Sequence, residues 1–248
     1  MNKKPSVLLF DIETFPNTVY TWGLYEENAI KVVKHWYLLS FAYKWLGEKT
    51  IHAFSLPNFD GYEKDKSNDR ELCRMLWKLM DEADAICTHN GTAFDSKKMV
   101  AKFVQHGFPP PTPYQQIDTL TIAKKYFKFD SNKLDNLAQY LGIGQKVNTG
   151  GFELWEGCGV RDDKSAWKKM VQYNKHDVWL LEKIYKKFLP YITDHPNYNL
   201  FTDRGVCPNC GGKLQSRGYA LTRVTKYQRF QCQSCGAWSK KPINGIIR

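Results

Sequence analysis

The chain has 248 residues, 42 % hydrophobic and 15 % aromatic, with 36 Lys/Arg against 25 Asp/Glu and a formal charge of +11. That composition excludes a disordered chain and allows one substantial core plus a small extra module. No apolar run reaches the roughly 18 residues of a membrane helix, and MNKKPS with the apolar stretch Val7 to Phe10 is too short for a secretory leader. The expected setting is therefore cytoplasmic, with no membrane partner.

In chain order, strand signals come first. VLLFDIET (7–14), VYTWGLYE (19–26) and IKVVKHWYLLSFAYKWL (30–46) are three extended runs rich in β-branched and aromatic residues, and KTIHAFSL (49–56) adds a short strand turned back at Gly47. Residues 58–68 read as polar loop. In DRELCRMLWKLMDEADA (69–85) the apolar positions recur at helical spacing, and Asp69 suits the start. AICTHN (85–90) is a short buried strand, and SKKMVAKFVQHG (96–107) a helix ending at Gly107. The prolines from Pro109 to Pro113 make a rigid loop. Asp118 opens a short helix through Phe127, and Asn132 another that stops at Gly142. Residues 144–162 are Gly-rich with little pattern. A long helix, interrupted or not, then runs from about Lys164 to Phe188, and Pro190 closes the body.

Charge and cysteine set the tail apart. Residues 201–248 hold nine Lys/Arg and one acid, a surplus of eight, while the remaining 200 residues hold 27 against 24, a surplus of three. A cationic tail suits a polyanion, and nucleic acid comes ahead of membrane because no amphipathic anchor accompanies the charge. Arg217, Arg223, Lys226, Arg229, Lys240 and Lys241, interleaved with Tyr219, Tyr227 and Trp238, suit a nucleic-acid backbone and its bases; bracing the body or docking a protein is the alternative. Cys207, Cys210, Cys232 and Cys235 form CPNC and CQSC knuckles separated by 21 residues, the pattern of a tetrahedral site for one structural Zn2+. A disulfide pair is the rival, disfavoured in a reducing cytosol. Cys73, Cys87 and Cys158 are scattered core or loop residues. The division expected is a body over 1–192, a linker over 193–204 and a zinc ribbon over 205–248.

Four acids carry the chemistry. Asp11 and Glu13 lie two apart on a strand and so share a face, a costly arrangement unless cations sit between them. Paired hard cations held by carboxylates are what two-metal phosphoryl chemistry demands. Asp95 ends HNGTAFD, and Asp177 lies in YNKHDVWL one helical turn after Tyr173. Taken singly, each has a plainer reading: a solvated strand end, a helix cap, a half-buried helix face.

In their order, spacing and flanks, these segments resemble the DEDD superfamily of 3'-5' exonucleases with a tyrosine-type third motif, over roughly residues 5–190. The histidine-type branch needs a histidine where this chain has Gln172; His176 projects away from the Asp177 side. The resemblance implies an α/β, ribonuclease-H-like fold, with a mixed central sheet flanked by helices. It also implies two Mg2+ or Mn2+ ions, with Asp11 bridging both, Glu13 and Asp177 completing the site of the attacking water, and Asp95 supporting the second ion. Tyr173 orients that water. Thr14 and Phe15 match positions that contact the terminal sugar and base. Asn90 holds Asp95 or substrate, or simply forms a turn; Lys133 touches a phosphate; Asp118 lies near the site or caps a helix. Gly150, Gly151, Phe152 and Trp155 form a substrate-side loop or plain loop packing. GGFELWEGC and the appended CPNCGG…FQCQSCGAW look like phage-encoded stand-alone exonucleases. The activity implied is hydrolysis of the last phosphodiester of DNA, ahead of RNA, with frayed or single-stranded 3' ends favoured. Replication or recombination proteins are the implied partners and the host cytoplasm the setting. A ribonuclease-D-like RNA-processing enzyme and a binding module acting through its ribbon are the alternatives.

Overall fold

The computed structural model describes residues 4–25, 28–202 and 205–245. Five strands form the central sheet: β1 (Val7–Phe15) in the middle, then, after a separate two-stranded hairpin of β2 (Thr18–Tyr20) and β3 (Lys31–Lys34), β4 (Tyr37–Trp45), β5 (His52–Ser55), β6 (Ala85–Thr88) and β7 (Gln115–Asp118). Their spatial order is β5-β4-β1-β6-β7. The β1–β4 and β4–β5 pairs are antiparallel, and β1–β6 and β6–β7 are parallel. The second expected strand is thus confined to three residues outside the sheet, its last residue, Glu26, lying outside the described residues. The third run breaks in two at His35 and Trp36. The sequence reading passed over β7, whose four residues QQID have a polar first half.

Among the described residues six helices pack around the sheet or on one another: α1 (Arg70–Asp81), α2 (Asp95–His106), α3 (Thr119–Tyr126), α4 (Leu134–Tyr140), α5 (Glu153–Gly159) and α6 (Lys164–Phe188). Strand alternation divides the core. Leu8, Phe10 and Ile12 point to one face, with Leu76, Met99 and Phe103. Val7 and Leu9 point to the other, with Val178, Leu181 and Ile184 of α6. Ala42 on β4 keeps that second face low enough for α6 to cross it. Lys44 and Glu182, both buried, pair across the crossing at 2.7 Å. A buried pair of this kind contributes little net stability but fixes how the helix lies. Asp69 stands just before α1 as expected, yet its side chain makes no cap; it accepts from Lys102 at 2.9 Å and His106 at 2.7 Å, tying α1 to α2. The pattern-poor stretch 144–162 contains α5, which packs closely enough that a Cβ on Gly159 would lie 2.3 Å from the Phe15 ring.

Three strands follow: β8 (Leu214–Leu221), β9 (Thr225–Cys232) and β10 (Trp238–Gly245), an antiparallel sheet in the order β10-β9-β8. The segment before them is packed rather than loose. His195 and Tyr198 are buried, the Tyr185 hydroxyl and His195 Nε2 are 2.7 Å apart, and the Tyr198 amide donates to the Pro208 carbonyl. Buried Asn209, inside the first knuckle, donates to the carbonyls of Leu189 and Ile192, both at 2.8 Å.

Candidate active site and cysteine cluster

The row Val7, Leu9, Asp11, Glu13 begins as core and ends as two carboxylates where α6 crosses the sheet. Tyr173, Asn174 and Asp177 come from the crossing helix, and all three are buried. Carboxylate oxygens of Asp11, Glu13 and Asp177 lie within 4.8 Å of one another. Burial, then the charges of Asp177, Glu13 and Asp95, hold the Asp11 carboxyl well above the usual range. Burial and Asp177 push Glu13 up to about 8. Burial raises Asp177 too, against the opposing pull of Lys146. Asp177 Oδ1 is buried with no hydrogen-bond partner. An orphaned carboxylate oxygen in an all-oxygen donor set fits hard divalent cations.

Asp95, at the first turn of α2, is 4 % exposed. Burial raises its carboxyl to about 7, although its own amide and that of Ile12 donate to it. It is thereby attached to the strand between Asp11 and Glu13. It is not one of the three acids that converge within 4.8 Å, but its charge is felt at both Asp11 and Glu13.

Three further residues complete the site: Lys146, Asn174 and Trp155. Lys146, on the loop before α5, ion-pairs with Asp177 and reaches the Tyr173 hydroxyl at 3.0 Å. Burial disfavours its charge, but Asp177, Tyr173 and Asp11 reverse this and hold it above the ordinary lysine value. Asn174 is fully buried; its amide donates to Asp11 Oδ2 at 2.7 Å and accepts from Ser40 at 3.2 Å. Trp155 lies close enough to Glu13 to favour its charged form, and its ring meets Tyr173 edge-on at 6.0 Å. Trp155 was one of four residues offered as a substrate-side loop; the amide next to Tyr173 and the lysine in a Gly-rich stretch carried no signal that sets them apart. His176 faces away, as expected, but pairs with the Gln145 carbonyl at 2.8 Å and so pins the residue before Lys146.

The other expected residues are spread around this centre. Thr14 Oγ1 accepts from Lys98 at 3.2 Å, and Lys98 sits over the rings of Trp36 at 4.2 Å and Phe94 at 4.8 Å. Phe15 is buried, stacked on Tyr37 at 5.3 Å, so its ring is spent on the core. Asn90 forms a turn, with φ of 70° and its carbonyl taking the amides of Ala93 and Phe94; no bond joins it to Asp95. Asp118 caps α3 and also receives the amides of Asn90 and Thr92. Asn90, Lys124, Lys133 and Lys146 line one open cavity of about 600 Å3.

At the ribbon, Cys207 and Cys235 sulfurs are 3.7 Å apart and those of Cys210 and Cys232 3.5 Å. A tetrahedron of sulfurs about 2.3 Å from zinc has edges of about 3.8 Å, so the cluster fits such an ion. Burial pushes the Cys232 thiol up, but the amides of Cys235 and Ser234 more than reverse this and bring it to about 7. Burial holds the Cys207 thiol up at about 11 and raises that of Cys210 as well, so without metal Cys232 is the member poised to be a thiolate and the other two need the ion to lose their protons.

The sheet order, with acids on its central strand and on a late crossing helix, defines a ribonuclease-H-like domain of nuclease type. The RNase_H_2 family model, of the RNase_H superfamily, matches residues 8–189, and the chain belongs to that superfamily. Such domains act on nucleic acid with divalent metal ions, which the acid triplet suits. No curated protein matches the chain in sequence.

Proposed function

We propose that the chain is a DEDD-type 3'-5' exonuclease of the tyrosine class. It hydrolyses the terminal phosphodiester of DNA, prefers single-stranded or frayed 3' ends, and releases nucleoside monophosphates. The carrying observation is the convergence of Asp11, Glu13 and Asp177 within 4.8 Å, with Asp95 attached to the strand between Asp11 and Glu13 and the Tyr173 hydroxyl beside Asp177. Asp11, Glu13 and Asp177, with Asp95 in support, would hold two Mg2+ or Mn2+ ions, which would supply an acidified water and neutralise charge at the phosphate. Asn174 fixes the Asp11 carboxylate, and Trp155 favours the charged form of Glu13. Burial and Asp177 hold the Tyr173 phenol above its ordinary value, so near neutrality it keeps its proton and orients a water instead of deprotonating it. Lys146 balances the acids and faces the cavity of about 600 Å3, where Lys133, Lys124 and Asn90 offer positive and polar groups to the strand's phosphates. Thr14, held by Lys98, is placed to meet the terminal sugar. The four cysteines hold one structural Zn2+, closing a ribbon over 205–248 behind a body over 1–192 and the link over 193–204.

Resemblance to phage-encoded exonucleases puts DNA ahead of RNA, a replication or recombination protein ahead of other partners, and the host cytoplasm ahead of other settings. Matched DNA and RNA oligomers labelled at either end test the reading. Mononucleotides should appear first from the 3' end of DNA, and closed single-stranded circles should survive. Rapid cutting of circles would make the enzyme an endonuclease, and preferential loss of RNA would make it an RNA-processing relative.

A further inference from the structure

The acid centre uses none of the ribbon's surplus charge. Residues 205–248 hold eight Lys/Arg and no Asp or Glu, and among the described residues no ribbon cation enters a salt bridge. Register sorts these side chains by face, because residues paired across antiparallel strands point the same way, as do residues two apart on one strand. Arg229 and Tyr227 of β9 pair with Lys240 and Pro242 of β10, one step along from the Gln231–Trp238 pair. Ala220 of β8 pairs with Tyr227. Tyr227, Arg229, Trp238, Lys240 and Ala220 therefore share one face. On it the Arg229 guanidinium lies 5.9 Å from the Trp238 ring centre, and the Lys240 ammonium 4.6 Å from that of Tyr227. An open groove of about 390 Å3 runs along this face, lined by Arg229, Trp238, Lys240 and Ala220 together with Ser239. Trp238 is 56 % exposed, so indole surface is left free beside two cations. Tyr219 and Lys226, 4.1 Å apart from ring centre to ammonium, belong to the opposite face, with Gln228 and Leu221.

We propose that the groove face is a platform for single-stranded nucleic acid, separate from the acid centre and independent of the nuclease reading. A base stacks on Trp238, and Arg229 and Lys240 take the flanking phosphates. Charge complementarity selects the occupant: the face offers two cations, two rings and no acid, and a single strand offers phosphates and flat bases at a repeat that alternating residues can follow. This narrows the expectation for the whole tail to one side of its sheet.

The test uses the full, zinc-loaded chain without added magnesium or manganese, so that binding is read apart from hydrolysis. A labelled oligothymidylate of about 20 nucleotides, longer than one such site needs, is titrated by fluorescence anisotropy at several salt concentrations. Trp238→Ala should weaken binding about tenfold with little change in salt slope, because a base stack is lost and no phosphate contact is. Arg229→Gln with Lys240→Gln should lower the log–log slope by about 1.4, at about 0.7 for each phosphate contact on a single strand. Tyr219→Ala, on the other face, should stay near the parent. Unchanged zinc content and circular dichroism exclude loss of the ribbon fold. Parental binding by both groove variants overturns the proposal, as does a Tyr219→Ala defect equal to that of Trp238→Ala. Displacement of the strand by polyglutamate at matched charge would also overturn it, marking a surface for acidic protein. Failure of end-labelled DNA to be degraded bears on the nuclease reading alone.

Discussion

The carboxylate triplet of the body rests on elements that are packed without it. Leu8, Leu9 and Phe10 of β1 and Val178, Leu180 and Ile184 of α6 are fully buried, so strand and helix meet whether or not anything lies between Asp11 and Asp177. Among the described residues the apolar cluster around the four cysteines is Cys207, Cys232 and Ala237, with Leu214, Cys210 and Cys235 beside them, and the last two also touch the body's second cluster. There the ligand atoms are the core. One cluster is a destination prepared by a finished fold; the other is the reason for a fold. A hard-cation site can afford mutual repulsion because packing elsewhere holds it together, whereas a soft-metal site in a small module cannot.

Zinc removal should give the largest separation between the two regions. A structural zinc is worth about 10–16 kcal/mol to the module it closes, so a zinc-selective chelator or Cys232→Ser should abolish amide protection in β8–β10 and leave the strands and helices of the body protected. Persistence of the ribbon's protection would mean that its sheet folds unaided and would erase the contrast. Next in size is the acid centre. Asp11→Ala or Asp177→Ala should cut metal-dependent degradation by about 10⁴-fold, the scale seen when one member of a catalytic unit is lost. The melting temperature without divalent metal should hold or rise, since repulsion among buried carboxylates is relieved. Parental turnover would displace the site; a large fall in melting temperature would show that the acids also build the frame.

Asn174→Ala should weaken both the frame of the body and its acid centre. Removing the amide strands a buried Ser40 hydroxyl and frees the Asp11 carboxylate, a loss of about 1–3 kcal/mol, with divalent-metal affinity for turnover weaker by about 10–100-fold. Isothermal denaturation and a metal titration of activity read the two effects separately. The smallest effect is in pH. Glu13 at about 8 and Asp95 at about 7, both raised first by burial, bind protons in the fold that the unfolded chain releases near pH 4. The native state therefore holds more protons through that window, and stability without divalent metal should fall as pH rises from about 5 to about 8. Glu13→Gln should flatten the curve, and so should divalent metal. A melting temperature that climbs over the same range would contradict these assignments.

Legibility followed from how locally each feature is encoded. A continuous apolar run wrote β1 plainly, the long stretch before Pro190 wrote α6 from Lys164 to Phe188, and the knuckle spacing brought the four sulfurs together. What escaped was settled by neighbours. The strand β7 has four residues and enters the sheet only because β6 presents an edge. The helix α5 is short and starts after two glycines with positive φ, so its identity comes from docking on α6. Phe15 follows a motif that suggested contact with substrate, but the bulge between Glu13 and Thr14 and the ring of Tyr37 send it inward. Lys146 has no local signature, because its place is set by a loop pinned from outside by His176. Tertiary partners, rather than residue preference, decided each of these.

The short reach of Asn209 fixes a length scale. Its two bonds to the carbonyls of Leu189 and Ile192 seat the first knuckle on the turn that directly follows the helix carrying Tyr173 and Asp177. A flexible tether would present a spread of separations and let affinity climb smoothly with strand length. A rigid seat acts as a caliper. Strands too short to span from the ribbon to the acids should meet each part independently, and the first strand long enough should gain avidity in a single step.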